Sequence, residues 1–262
     1  MDFLQLGAHL PWSRRSEFLN QILDLGLAPE VAFKGSDLDC LEARELDRLI
    51  SIFAGKGVRP TVHAPFFDLN PGALDPLIRS ATDQRLSQAF EAAARINAKV
   101  MVVHPGFDRW RYPNLDEVWV QNACDFFNSY LARAKSSDCR LALENIYEET
   151  PATLVALVAL LDSDYFGHCF DIGHWHLFAK MSLPDWLDAI SCRLIHIHLH
   201  DNHGNADQHL PVGDGLIDFD LLFSSLAQTS PPSMTLEAHS LSCLQRSLQQ
   251  LNPYLLRHIC LS

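Results

Sequence analysis

The sequence predicts an α/β chain that closes into a (β/α)8 barrel, with residues 1–262 forming one domain. Three observations predict it. Short apolar runs alternate eight times with helix-patterned stretches, and about 250 residues is the length such a barrel needs. No linker, low-complexity segment or block of like charge divides the chain, and a 48% hydrophobic composition can fill one large core. A doubly wound open sheet usually brings a Gly-rich phosphate loop after its first strand, where this chain reads "GAHLPWS".

Taken in order, the elements follow one rhythm: a short apolar run reads as a buried strand, and a spacing near 3.6 residues reads as a helix. "FLQLGAH" (3–9) precedes a helical pattern over 14–25. "PEVAF" (29–33) precedes 42–56, which "AGKG" (54–57) stops. "RPTVHAP" (59–65) leads to 76–97, where Pro76 suits a first helical turn. "KVMVVHP" (99–105) leads to 114–135. "CRLALEN" (139–145) leads to 151–162, with Pro151 again at the start. "GHCFDIG" (167–173) leads to 183–190, and "RLIHIHLH" (193–200) to 218–228, where Asp218 is the start signal. "SMTLEAH" (233–239) leads to 240–251, and the tail "NPYLLRHICLS" reads as a closing helix or an interface.

Composition narrows the function. No apolar run reaches the length of a membrane span and the first residues lack a signal-peptide layout, so a soluble, cytoplasmic protein is expected. The net charge of −12 and the absence of a basic run count against DNA as a partner without excluding it. The seven cysteines, odd in number and without a CxxC, read as buried reduced thiols.

The chemistry lies where the apolar runs stop. His63, His104, Glu144, Asp171, His198 and Glu237 end six consecutive strands, and the first strand ends in His9. In a barrel those ends form the rim that carries the active site. A carboxylate after "LAL", or an imidazole after "MVV", must be paired or metal-bound to be buried there. Alternation puts His196, His198 and His200 on the lumen face and Ile195, Ile197 and Leu199 on the helix face. The deepest, His196, reads as a hydrogen-bonded core histidine and His198 as the better ligand. "FDIGHWH" adds His174, in the turn that opens the next helix. "ADQHLPVGDG" adds Asp207 and His209, which in an extended loop would face the same way as a small chelating pair. Nine candidates suit two or three cations better than one.

"VHAP", "VVHPG", "LEN", "FDIGH", "IHLHD", "DQHLPVGDG" and "TLEAH" carry a family resemblance. In order and approximate spacing, residues 60–240 resemble the endonuclease IV branch of the xylose isomerase-like TIM-barrel superfamily. The resemblance implies one zinc on His63, His104 and Glu144. It implies a second on Glu144, Asp171, His198 and Glu237, and a third on His174, Asp207 and His209. It further implies phosphoester hydrolysis, with Glu144 bridging and Glu237 orienting the attacking water, so these two are the catalytic candidates. The expected cofactor is two to three divalent ions, Zn2+ first, with Mn2+, Co2+ or Mg2+ as alternatives. The expected substrate is a small phosphorylated, sugar-like or nucleotide-like molecule, with an abasic site in DNA as an equal candidate. The superfamily also holds sugar and sugar-phosphate isomerases and epimerases, which use one divalent ion on the four positions matching Glu144, Asp171, His198 and Glu237. That is the alternative function. Their substrate-binding arginine would stand where this chain has His209. Phe66 and Phe67 occupy the place of the repair enzymes' DNA wedges, and a pocket wall or lid is the preferred reading for them. Trp110, Tyr112, Tyr147 and Trp175 could line the same pocket, while Lys34, Arg109, Arg111 and Lys180 are the few cations expected near the rim.

Overall fold

A computed structural model of the chain describes residues 6–226 and 232–258. Eight parallel strands close in sequence order, β1 to β8, into the expected barrel. They are β1 (Leu6–Pro11), β2 (Ala28–Ala32), β3 (Thr61–His63), β4 (Val100–Val103), β5 (Arg140–Glu144), β6 (Phe166–Asp171), β7 (Leu194–Leu199) and β8 (Ser233–Leu236). The helices are α1 (Arg15–Asp24), α2 (Gly35–Asp39), α3 (Ala43–Lys56), α4 (Pro76–Arg95), α5 (Asp116–Ser137), α6 (Ala152–Leu161), α7 (Ile172–Phe178), α8 (Leu183–Ile190), α9 (Phe219–Leu226) and α10 (Leu241–His258).

Local chemistry sets the element ends. Asp75 caps α4 through its side chain, with Pro76 at the first helical position. The Asp218 side chain caps the start of α9, accepting from the Leu221 amide. Pro151 stands just outside the first turn of α6. "AGKG" stops its helix where the sequence places the stop, after Lys56. Ala54, Gly55 and Lys56 remain helical, and only Gly57, at φ 67°, turns the chain out in the left-handed region where glycine carries no Cβ penalty. β1 runs on to Pro11, so His9 lies inside it, and residues 3–5 of the first apolar run fall outside the described residues. The closing helix, α10, extends to His258, and residues 259–262 lie beyond the description.

Two cores result. The larger lies between sheet and helices and includes Met101, Val103, Leu141, Leu143, Ile197 and Leu199 together with Phe90, Trp119 and Trp186 from the helices. The smaller fills the barrel interior with Val100, Val102, Ala142, Cys169 and Ile195. Ile195 departs from the alternation, which assigned it to the helix face. The β6–β7 register shifts between His168 and Cys169, and this bulge lets Ile195 join the interior cluster. The cysteines also depart from expectation: Cys139 and Cys169 are buried, whereas Cys40 and Cys192 are exposed. All six described cysteines are free, and Cys260 lies outside the described residues. Among the described residues no helix is long and apolar enough to cross a membrane.

Candidate metal centre

Strand alternation builds the site in layers. On β4, Val100 and Val102 fill the interior, and the next inward position is His104, just past the strand end. On β5, Ala142 precedes Glu144; on β6, Cys169 precedes Asp171. Register carries the layers around the barrel, pairing Asp171 with His198 and Glu144 with Cys169. All nine side chains singled out from the sequence converge at the mouth.

Glu144 is the hub. Its Oε2 lies 3.3 Å from His63 Nε2 and 3.2 Å from His104 Nε2. Its Oε1 lies 3.4 Å from His198 Nδ1 and 3.3 Å from His174 Nδ1. His198 Nδ1 also faces Glu237 Oε1 at 3.3 Å and Asp171 Oδ2 at 3.7 Å. A third group sits outward, where Asp207 Oδ2 is 3.5 Å from both His174 Nε2 and His209 Nε2. His209 Nε2 is 3.3 Å from Glu237 Oε2, which ties this group back to the second.

These spacings discriminate. Two atoms bound to one tetrahedral cation at roughly 2.0–2.2 Å stand about 3.3–3.6 Å apart. Most mouth contacts fall in or near that range, longer than a good charged hydrogen bond. The buried atoms His198 Nδ1 and His209 Nε2 have no hydrogen-bond partner among the described residues, although carboxylate oxygens surround each. A buried orphan of this kind is costly unless something sits between the ligands. A divalent cation fits that place, and the imidazole and carboxylate donor set suits zinc, manganese or cobalt.

The imidazoles are oriented from behind. His63 Nδ1 lies 2.9 Å from the Ala64 carbonyl, His174 Nδ1 3.1 Å from the Asn145 carbonyl, and His209 Nδ1 3.0 Å from His239 Nε2. In each case Nε2 is turned toward a carboxylate. Such outer partners fix tautomer and ring orientation.

Charge follows the same pattern. Burial works against the Glu144 carboxylate, but His104 and His198 outweigh it and hold it well below the usual range. Burial likewise opposes protonated His174, yet Asp171, Asp207 and Glu144 lift it well above an ordinary histidine. His209 moves the other way: burial, with His200 adding to it, depresses it to about 3.

Residues the sequence did not single out as ligands complete the frame. His200, fully buried, lies 3.2 Å from both oxygens of Asp171. Gly173 makes room for it, because a Cβ there would run into the His200 ring. Asn145 brackets Asp171, donating to its carbonyl and accepting from its amide, both at 2.9 Å. Buried Asp201 gathers the amides of Asn202, Gly213, Gly215 and Ile217 at 2.8–3.1 Å and so folds the loop that carries Asp207 and His209. That loop is not extended at His209, whose φ of 46° lies in the left-handed region. The Asp207–His209 pair therefore forms through a turn rather than through alternation. His174 lies within α7, a short helix of its own, with Asp171 as its cap.

The rim is aromatic, and Arg109 and Lys180 among its expected cations are paired. Phe66 stacks on His104 at 4.1 Å, as a pocket wall, while Phe67 and Trp110 are exposed. Tyr112 is buried, its hydroxyl accepts from Asn70, and its ring packs on Phe107; it lines the core rather than the mouth. Arg109 and Lys180 both pair with Glu149.

The barrel resembles several known proteins. The chain resembles a D-tagatose 3-epimerase-like protein (25% identity, TM-score 0.83, covering 97% of this chain and 98% of the other). It also resembles a Thermus thermophilus protein soaked with ZnCl2 (27% identity, TM-score 0.83, covering 96% and 98%). By sequence, an uncharacterized protein of Methanocaldococcus jannaschii is 32% identical over 169 residues, 62% of this chain and 58% of that relative's length. A probable endonuclease 4 of Mycobacterium leprae is 26% identical over 188 residues, covering 65% and 69%. The family model described as xylose isomerase-like TIM barrel matches residues 28–252, and the chain belongs to that family.

Proposed function

We propose that the protein is a metal-dependent hydrolase of phosphoesters, with two to three divalent cations, zinc first, held at the barrel mouth. One observation carries the reading: nine histidine and carboxylate side chains face one another at 3.2–3.7 Å across the mouth, with Glu144 touching His63, His104, His174 and His198. His63, His104 and Glu144 would hold one ion. Glu144, Asp171, His198 and Glu237 would hold the second, and His174, Asp207 and His209 the third. When bound, such ions acidify a water and neutralise phosphoryl oxygens. The chain's own residues then do the rest. Glu237, between His198 and His209, orients the attacking water and takes up its proton at a carboxylate oxygen. Phe66, laid on His104, keeps bulk water from that side. The substrate class is small and phosphorylated or sugar-like, because Arg109 and Lys180 are held by Glu149 and a net charge of −12 repels a polyanion.

A second reading has its own support. The likeness to a D-tagatose 3-epimerase-like protein favours a divalent-metal sugar isomerase or epimerase built on Glu144, Asp171, His198 and Glu237, with the two glutamates moving protons beside a carbonyl. Elemental analysis of the purified chain, paired with two assays, separates the readings. Two to three zinc ions and turnover of bis(p-nitrophenyl) phosphate are expected. A single ion per chain, with deuterium exchange into a ketose and no diester cleavage, would replace the hydrolase by the epimerase.

A further inference from the structure

β2 delivers no ligand to the mouth. It places Glu30 one layer lower, at the barrel axis, with no exposed surface. We propose that Glu30 is a positioning residue for the metal centre: its carboxylate holds His198 with the proton on Nε2 and so leaves Nδ1 as the ligand. This rests on the metal reading above.

The contacts carry it. Glu30 Oε2 accepts from Thr61 Oγ1 at 2.8 Å and Thr235 Oγ1 at 3.1 Å, and lies 3.0 Å from His196 Nε2. Its Oε1 lies 3.0 Å from His198 Nε2. The two atoms lie at contact distance but off the hydrogen-bond angle, so neither has a hydrogen-bond partner among the described residues. A carboxylate only accepts, so an imidazole nitrogen 3.0 Å from its oxygen is favourable there only when it carries the proton, which assigns the proton to Nε2. The lone pair then sits on Nδ1, the atom that faces Glu144, Asp171 and Glu237. Glu30, His196 and His198 could instead be ligands of a deeper ion. Their 3.0 Å spacing argues against it, being hydrogen-bond length rather than the separation of two atoms on one cation. Three donors already fill Oε2. In a glutamine the oxygen would take the Oε2 place, so its NH2 would face His198 Nε2 as a donor and could no longer hold the proton there.

The test is zinc affinity of the full chain by chelator competition, alongside circular dichroism of the metal-free protein. Glu30→Gln is expected to weaken binding about 10- to 100-fold. Val31→Ala, the next position on the same strand but in the helix-facing core, is expected to lower thermal stability while leaving affinity within about twofold. On the unmutated, zinc-loaded chain, nitrogen-15 NMR of labelled histidine should place the metal on His198 Nδ1 and a slowly exchanging proton on Nε2. That measurement holds whether or not the Glu30 variant folds. Metal on Nε2, or undiminished affinity in Glu30→Gln when the parent chain binds zinc, overturns the inference alone. A parent chain that binds no zinc overturns the metal centre and this inference together.

Discussion

The mouth of the barrel and the layer just beneath it use the same kinds of residue in opposite ways. In the lower layer Glu30, Thr61, His196, Ser233 and Thr235 meet at 2.7–3.1 Å, and most of their polar atoms have partners. In the mouth, imidazoles and carboxylates stand 3.2–3.7 Å apart, and several buried nitrogens have none. The lower layer is a hydrogen-bond network that fixes the strands, with Glu30 Oε1 left over to face His198. The upper one is spaced for something to be held between its members. Composition alone does not distinguish them; a few tenths of an ångström do.

Three perturbations break or sharpen that contrast. The largest expected effect is at the hub. Glu144→Gln removes the charge shared by two ligand sets. It should lower phosphodiester turnover by on the order of 10³-fold or more and reduce bound zinc by at least one ion per chain. Full metal content by elemental analysis with normal kinetics would mean the mouth is only another structural network.

A smaller effect is expected at the outer group. His209→Arg keeps a donor but replaces a ligand with a fixed cation. Bound zinc should fall by one, and kcat/KM should drop at least roughly 10- to 100-fold, since losing a ligand costs no less than losing an outer partner of one. Unchanged metal content would remove His209 and Asp207 from the centre.

The smallest effect concerns a histidine outside both layers. His168, buried on β6, is pushed down to about 4 by burial. Its folded value lies below the ordinary 6.5, so the unfolded chain takes up the proton first. Stability from neutral His168 is complete above pH 6.5 and is lost as pH falls toward 4, by about 3 kcal/mol in all. Denaturant titrations of metal-free chains at about pH 7 and pH 5 should show His168→Leu losing about 2 kcal/mol less than the parent over that interval. Equal losses would show that His168 is not the group that titrates.

Much of the candidate site was legible because strand ends announce themselves. His63, Glu144 and Asp171 each close an apolar run, and all three end their strands in the structure. Glu30 offered a weaker signal, a lone charge inside "PEVAF", which marks a buried carboxylate but not its partner. His200 shares the alternation of His196 and His198 yet falls beyond the last strand residue, so periodicity could not assign it to Asp171. His239 lies two residues past Glu237 and meets His209 only through the fold of two different loops.

The sequence by itself determined the number of strands, their closure into a barrel and the residue types at the rim, because burial periodicity and strand ends are local properties. Tertiary structure alone decided the register, the bulge at His168 that turns Ile195 inward, and the left-handed turn that brings His209 to Asp207. It also decided which nitrogen of each imidazole faces the centre. Those depend on atoms brought together from strands more than a hundred residues apart, as Glu30 and His198 are, and no local pattern encodes such distances.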